Sequence, residues 1–192
     1  MKLHRALVVI AALTVPTFAS ATEYTLDKSH TYVGFEISHL GFSTTFGRFE
    51  DVTGTLSFDE AKPAASKVDV TVETGSLETG FEKRDEHVES PDFLDVKKYP
   101  EMTFKSTKVT VTGKHTGTLT GDLTLHGVTK PVTLHVTFNK AGPNPLKPEI
   151  LVAGFNATGT IKRSDFGITT YVPAIGDEVK LVISTEANAP AK

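Results

Sequence analysis

Apolar and polar residues alternate along most of the chain beyond residue 30, the period of strands with one buried and one wet face. From His30 to Ser38, Val33, Phe35 and Ile37 fall on one side and Tyr32, Gly34, Glu36 and Ser38 on the other. Thr44–Phe49 follows, then Val52–Phe58 with Val52, Gly54, Leu56 and Phe58 together. After Lys62-Pro63 the pattern resumes over Lys67–Glu73, with Val68, Val70 and Val72 inward. Leu119, Leu123 and Leu125 alternate up to His126-Gly127, and Val132, Leu134, Val136 and Phe138 alternate away from it, which predicts a hairpin. Parity slips around Ser106, between Met102/Phe104 and Val109/Val111, and slips again at Gly154; a β-bulge explains such a slip. Ala141–Pro148 is predicted as a loop, Val179, Leu181 and Ile183 as the last strand, and the tail from Asn188 as frayed.

The stretch from Thr79 to Phe104 departs from this pattern. Thr79 and Glu82 have the spacing of a capping box, so a helix is predicted to begin there and to stop near Ser90, before Pro91. Phe81, Arg84, Asp85 and Val88 then share one helix face, a charged pair between two apolar groups. About eight half-polar strands with one helical insertion near residues 79–98 predict an all-β fold, an antiparallel sheet closed into a barrel. A barrel of about this size is filled by side chains or holds one ligand. Phe42, Phe46, Phe49, Phe93 and Phe166, in turns and near strand ends, either line a cavity or cap the barrel ends as ordinary core.

Composition adds a compartment and removes several functions. Lys2, His4 and Arg5 precede an apolar run from Ala6 to Val15, and Ala19-Ser20-Ala21 ends it, the pattern of a Sec-type signal peptide cleaved after Ala21. The run is too short for a membrane span, so no integral membrane segment is expected. Residues 22–192 are expected to form one domain. No cysteine is present, which rules out disulfides and a lipid-anchored lipoprotein and leaves stability to the core. The net charge is −3 without a basic stripe, so nucleic acid is not an expected partner.

No Gly-x-Ser-x-Gly elbow, phosphate loop or His-Glu-x-x-His motif occurs. Asp85, Asp92, Asp95 and Asp165 are read as solvated rather than catalytic. His30, His39, His87 and His126 fit no recognised metal spacing, and neither metal nor cofactor is expected. His115 and His135 are read as turn and outward strand residues without a role. Arg84-Asp85 and Arg163-Ser164-Asp165 each place a cation beside an acid. These form salt bridges that lock the helix and last loop over the barrel, or one guanidinium faces a phosphate or carbonyl head group.

The run Thr79-Gly80, Arg84-Asp85-x-His87, Asp92-Phe93-Leu94-Asp95, Tyr99-Pro100 and Phe104-Lys105-Ser106 resembles the YceI family of bacterial periplasmic proteins. So do His30-x-x-Val33-x-Phe35, His39-Leu40-Gly41, the run from Gly121 to Val132, and Arg163-x-Asp165-Phe166-Gly167. The resemblance implies a lipocalin-like barrel enclosing a long isoprenoid-type lipid, such as a polyprenyl phosphate or a quinone tail. The Gly-x-Trp signature of true lipocalins is absent, since the chain has no tryptophan. With it comes an expected apolar tunnel of Val33, Phe35, Ile37, Leu40, Phe42, Phe46, Phe49, Phe93, Phe104, Phe166 and Ile168. Head-group contacts are expected from Arg84, Asp85, His87, Arg163 or Asp165, with no catalytic residue. The implied role is a periplasmic carrier, with a homodimer as one possible assembly. Two other readings stay open: an enzyme on lipid-linked or quinone substrates using Asp85 and His87, and a packed, ligand-free stress or interaction protein.

Overall fold

The computed structural model describes residues 21–191; the expected signal peptide, save Ala21, lies outside them. Eleven strands and one α-helix follow one another as β1 (Thr22–Leu26), β2 (Tyr32–His39), β3 (Ser43–Phe49), β4 (Val52–Phe58), β5 (Lys67–Glu73), β6 (Leu77–Glu78), α1 (Glu82–Glu89), β7 (Glu101–Val111), β8 (Thr116–Leu125), β9 (Val128–Pro143), β10 (Ile150–Lys162) and β11 (Ile175–Pro190). All pairings are antiparallel, and the sheet closes where β1 meets β11, through Thr25 opposite Asn188 and Leu26 opposite Ala187. The first six strands are three long strands, each broken once: β1 and β2 share the edge of β11, β3 continues into β4, and β5 into β6. Counted that way the barrel has eight strands.

The three breaks line up across the wall and are tied to one another. Glu73 N–H donates to the Asp51 carbonyl (3.0 Å), Glu50 N–H to the Ser76 carbonyl (3.0 Å) and Asp51 N–H to Ser76 Oγ (3.0 Å), while Lys28 Nζ pairs with Asp51 Oδ1 at 2.8 Å. Such a corner interrupts the ladder, so its backbone groups need these local partners. At the first break, the Asp27 carboxylate accepts from Ser29 N–H (2.9 Å), from Ser29 Oγ (2.6 Å) and from Asn188 Nδ2 (3.0 Å), with His30 Nδ1 also 3.0 Å away.

That cluster has a pH signature. Hydrogen bonds from Ser29 and then His30 hold the Asp27 carboxyl far below the usual carboxylate range, and the Asp27 carboxylate raises His30. A depressed acid contributes stability above its unfolded value that is lost as pH falls. A raised histidine contributes below its unfolded value and loses that as pH rises. The melting-temperature difference between wild type and Asp27→Asn is therefore expected to be largest between about pH 4 and 6.5. It should fall only partly on the alkaline side, where Ser29 and Asn188 still bond the carboxylate. A difference that stays flat from acid to alkaline pH would contradict this.

The alternation read from the sequence is the inward and outward alternation of the wall. Val33, Phe35 and Ile37, then Val68, Val70 and Val72, face the interior, and register shifts fall between Ser106 and Lys108 and between Gly154 and Phe155, at both predicted slips. His126 (φ 51°) and Gly127 (φ 74°) form the two-residue turn of the β8–β9 hairpin, both left-handed as a type I′ turn requires. Two expectations at the chain's end are corrected. Ala141 to Pro143 is paired strand, opposite Leu151 to Ala153, and the tail from Asn188 is not frayed: Asn188 lies between Thr25 and Val152 and Ala189 is buried. A strand on each side of Asn188 supplies the ladder bonds that fraying would lose.

The helix begins at Glu82, with Phe81 as its N-cap and no side-chain cap bond, so the predicted capping box does not form. Thr79 is occupied elsewhere: its N–H (3.0 Å) and its hydroxyl both donate to Asp85 Oδ1. Ser90 ends the helix, its hydroxyl donating to the His87 carbonyl at 2.7 Å. The segment leaves from β6 and returns beside buried Thr74, whose hydroxyl donates to the Tyr99 carbonyl (2.7 Å) and whose N–H donates to that of Pro100 (2.8 Å). Val88 and Leu94 pack it on the cluster of Phe49, Val52, Val72 and Leu77.

Candidate functional site

Many inward side chains of the barrel are only half-buried. Val33, Phe35, Ile37, Val70, Phe104 and Leu119 all face the interior and all retain accessible surface. A filled core would leave such groups dry, because interiors pack like organic crystals. The reason is a cavity of about 790 Å³ that touches all eight strands, within the range of small-molecule sites. Its wall is almost entirely aliphatic and aromatic, and it runs the length of the barrel. Near one end Phe58, Phe138 and Phe155 meet with ring centroids 5.2–5.4 Å apart. Gly47, on β3, makes room for Phe35 opposite it, since a Cβ there would lie 2.3 Å from the ring.

Polar groups gather where the strands end. At the helical mouth the lining includes Arg84, His87, His39, Thr45, Thr79 and Tyr171. At the far end it includes Glu60, Lys114 and His115, and the His115 ring stacks on Phe138 with centroids 5.9 Å apart. His115, read as a turn residue without a role, therefore faces the tunnel. The signal available in the sequence was its place at the tip of the β7–β8 hairpin, directly above inward Phe138.

Of the expected tunnel residues, Val33, Phe35, Ile37, Phe49, Phe93, Phe104 and Ile168 line the cavity. Leu40, Phe42 and Phe46 do not: they are 50%, 90% and 60% exposed on the outer surface. Phe46 and inward Phe49 lie three residues apart in one strand and so face opposite sides. Phe166 is 1% exposed and belongs to the packed core beside Leu125, Val132 and Leu134 rather than to the wall.

The expected head-group residues separate. Arg84 lines the mouth, its Nε donating to Thr79 Oγ1 (2.7 Å) and Nη2 to the Thr79 carbonyl (2.6 Å), which leaves Nη1 without a protein partner among the described residues. His87 lines the mouth too, edge-on to Phe93 (5.1 Å) and Tyr171 (6.3 Å), with Nε2 3.6 Å from Asp92 Oδ2. Asp85 turns to Thr79 and does not line the cavity.

Arg163 also lines the cavity, but it is only 5% exposed and donates to three backbone carbonyls: Gly176 (2.8 Å), Ile168 (3.1 Å) and Ile175 (3.0 Å). Burial pushes this guanidinium down from its usual value, with the nearby Asp177 charge opposing. Asp165 is exposed and does not line the cavity. Neither expected salt bridge forms among the described residues. Asp85 and Arg84 are joined through Thr79, and Asp177 rather than Asp165 fastens the loop, accepting from Ser164 N–H (2.9 Å) and Oγ (2.8 Å). Those two bonds, the backbone one first, lower the Asp177 carboxyl.

The histidines are not brought together. His30 is held by Asp27, His126 Nδ1 lies 3.1 Å from the Phe166 carbonyl, and no group of three potential ligands converges among the described residues.

Residues 24–187 match the YceI-like domain. The chain belongs to the YceI-like family. It is 51% identical over 169 residues to a UPF0312 protein of Pseudomonas putida (strain W619), covering 87% of each chain. The barrel is similar to the crystal structure of a Campylobacter jejuni YceI protein, with TM-score 0.72 and 38% identity, over 88% of this chain and 98% of that one. It also shares its fold with a polyisoprenoid binding domain from Saccharophagus degradans implicated in plant cell wall breakdown. That likeness has TM-score 0.67 and 16% identity, over 90% of this chain and all of the other. No helix among the described residues of this YceI-like chain is long and apolar enough to cross a membrane.

Proposed function

We propose that this YceI-like protein is a carrier that shelters one long apolar chain, of isoprenoid type, in the barrel interior, and that it works in the periplasm after removal of its leader. The observation that carries this is the unfilled apolar tunnel of about 790 Å³. A polyisoprenoid has no soluble form in water, and each sheltered methylene contributes about 0.8 kcal/mol, so the tunnel binds without chemistry. The polyisoprenoid binding domain with the same fold supports the cargo class. The site favours binding over catalysis because Asp85 is engaged with Thr79 and offers the tunnel no acid–base pair with His87.

The head group sits at the helical mouth, on Arg84 and His87. Arg84 keeps Nη1 without a protein partner among the described residues, whereas all three nitrogens of Arg163 already donate to backbone carbonyls. A charge-assisted hydrogen bond contributes about 1.5–3 kcal/mol, so Arg84→Ala should weaken a polyprenyl phosphate at least about tenfold. The matching prenyl alcohol should bind within about twofold of wild type. Equal loss for both ligands, or loss for neither, measured by displacement of a hydrophobic fluorophore, would contradict the assignment.

A further inference from the structure

The two sides of the helical mouth are unlike. One side is α1, whose outer face carries Glu82, Asp85, Glu86 and Glu89 beside Glu78. The other is a lip made by the β2–β3 turn and the loop before β11, joined by the Leu40 N–H donating to the Ala174 carbonyl at 2.9 Å and by His39 opposite Ile175. Residues 40–47 and 166–176, which build the lip, contain no charged side chain in a chain where 22% are charged. The lip nonetheless exposes Leu40, Phe42, Tyr171 and Val172, by 50%, 90%, 58% and 37%. Leu40 (φ 54°) and Tyr171 (φ 60°) are held in the left-handed region, uncommon for bulky residues, Leu40 with Gly41 (φ 73°) in the turn that the Phe42 N–H closes on the His39 carbonyl at 3.0 Å. His39, Tyr171 and Ile175 also line the tunnel, so the lip is its rim.

We propose that this lip is the surface by which the protein docks on a lipid bilayer, inserting Leu40, Phe42, Tyr171 and Val172 among the head groups while the acidic helix stays in water. The inference rests on the carrier reading, since docking at the rim lets an apolar cargo pass between bilayer and tunnel without crossing water. Protruding side chains on two turns suit a fluid, deformable surface, and the uncharged Ser43, Thr44 and Thr169 around them carry no desolvation cost of ions into the interface. Charge sets the lipid preference. The carboxylates of α1 are repelled by anionic lipid within a Debye length of about 10 Å at 0.1 M salt. A zwitterionic surface is therefore bound better, and added salt strengthens binding to an anionic one.

The test is flotation of the whole mature protein with phosphatidylcholine vesicles, with and without phosphatidylglycerol. Wild type should float with phosphatidylcholine, less so with phosphatidylglycerol at low salt, and more so again as salt is raised. Leu40→Ser with Phe42→Ser, both on the outer surface, should lower partitioning at least about tenfold, and Phe81→Ser on the acidic side should leave it unchanged. Wild type that floats with no vesicle would overturn the proposal and leave the lip to a protein partner. Unchanged flotation of the double variant would overturn it as well. A variant with the tunnel filled, Ala157→Trp, separates the two readings: it should still float while failing to take up a prenyl chain. Uptake without flotation refutes docking alone, and flotation without uptake in wild type refutes the carrier alone.

Discussion

Ala157→Trp is expected to weaken cargo binding at least about fiftyfold and leave the protein folded. Ala157 lies on β10 between Val136 and Ile183, its side chain at the cavity wall beside Leu134 and Leu181. In a packed core an indole there would force side chains off their rotamers and cost about 1–3 kcal/mol. In the hollow barrel it enters empty space and gains apolar contacts, so the melting temperature should stay within a few degrees of wild type or rise. The same indole displaces at least about three methylenes of a bound chain, a loss of about 2.4 kcal/mol or about fiftyfold in affinity. Fluorophore displacement by prenyl chains and a thermal melt together decide it. Unchanged affinity, or a variant that unfolds, would mean that the tunnel is not the binding site or not open.

Arg163→Ala should be among the most destabilising single changes. The guanidinium knits the start of β11 to the 3₁₀ turn over Arg163–Phe166 through the carbonyls of Ile168, Ile175 and Gly176, and lies 5.9 Å from the Phe93 ring centroid. Removing it strands one buried acceptor, at about 1–3 kcal/mol, and two part-buried ones at about 1 kcal/mol each, so a loss of roughly 3–5 kcal/mol is expected in urea unfolding. Lysine should not rescue it, because a single ammonium cannot reproduce the planar fork that reaches three carbonyls. A loss below about 1 kcal/mol would show that water replaces the guanidinium at these carbonyls.

These two residues mark what the sequence could and could not convey. The alternation of Val33, Phe35 and Ile37, and of Val68, Val70 and Val72, is a local consequence of the strand period, so the wall and both bulges were legible without a fold. Whether the wall encloses space depends on strand number and tilt, which no single segment encodes. Phe42 and Phe46, expected in the tunnel from the resemblance and their places in turns and near strand ends, lie outside it: the parity that puts Phe49 and Gly47 inside puts Phe46 outside, so the period carried the information. The Thr79–Glu82 spacing predicted a cap that the short link to Asp85 pre-empts, a choice between two local partners settled by where β6 delivers the chain. Arg163 was legible as a noteworthy cation. Its partners are carbonyls contributed by residues from 168 to 176, and backbone acceptors leave no trace in residue types.

Head-group selectivity and the effect of Ala157→Trp both depend on whether the tunnel carries an isoprenoid chain in the cell. The most direct measurement is native mass spectrometry of the protein purified without detergent, followed by organic extraction and lipid analysis. One adduct per chain of several hundred daltons, resolving into an isoprenoid ladder and lost in Ala157→Trp, is the expected result. Bare polypeptide, with no uptake when prenyl lipids are added back, would contradict the carrier and make the hollow barrel a binding site for something else.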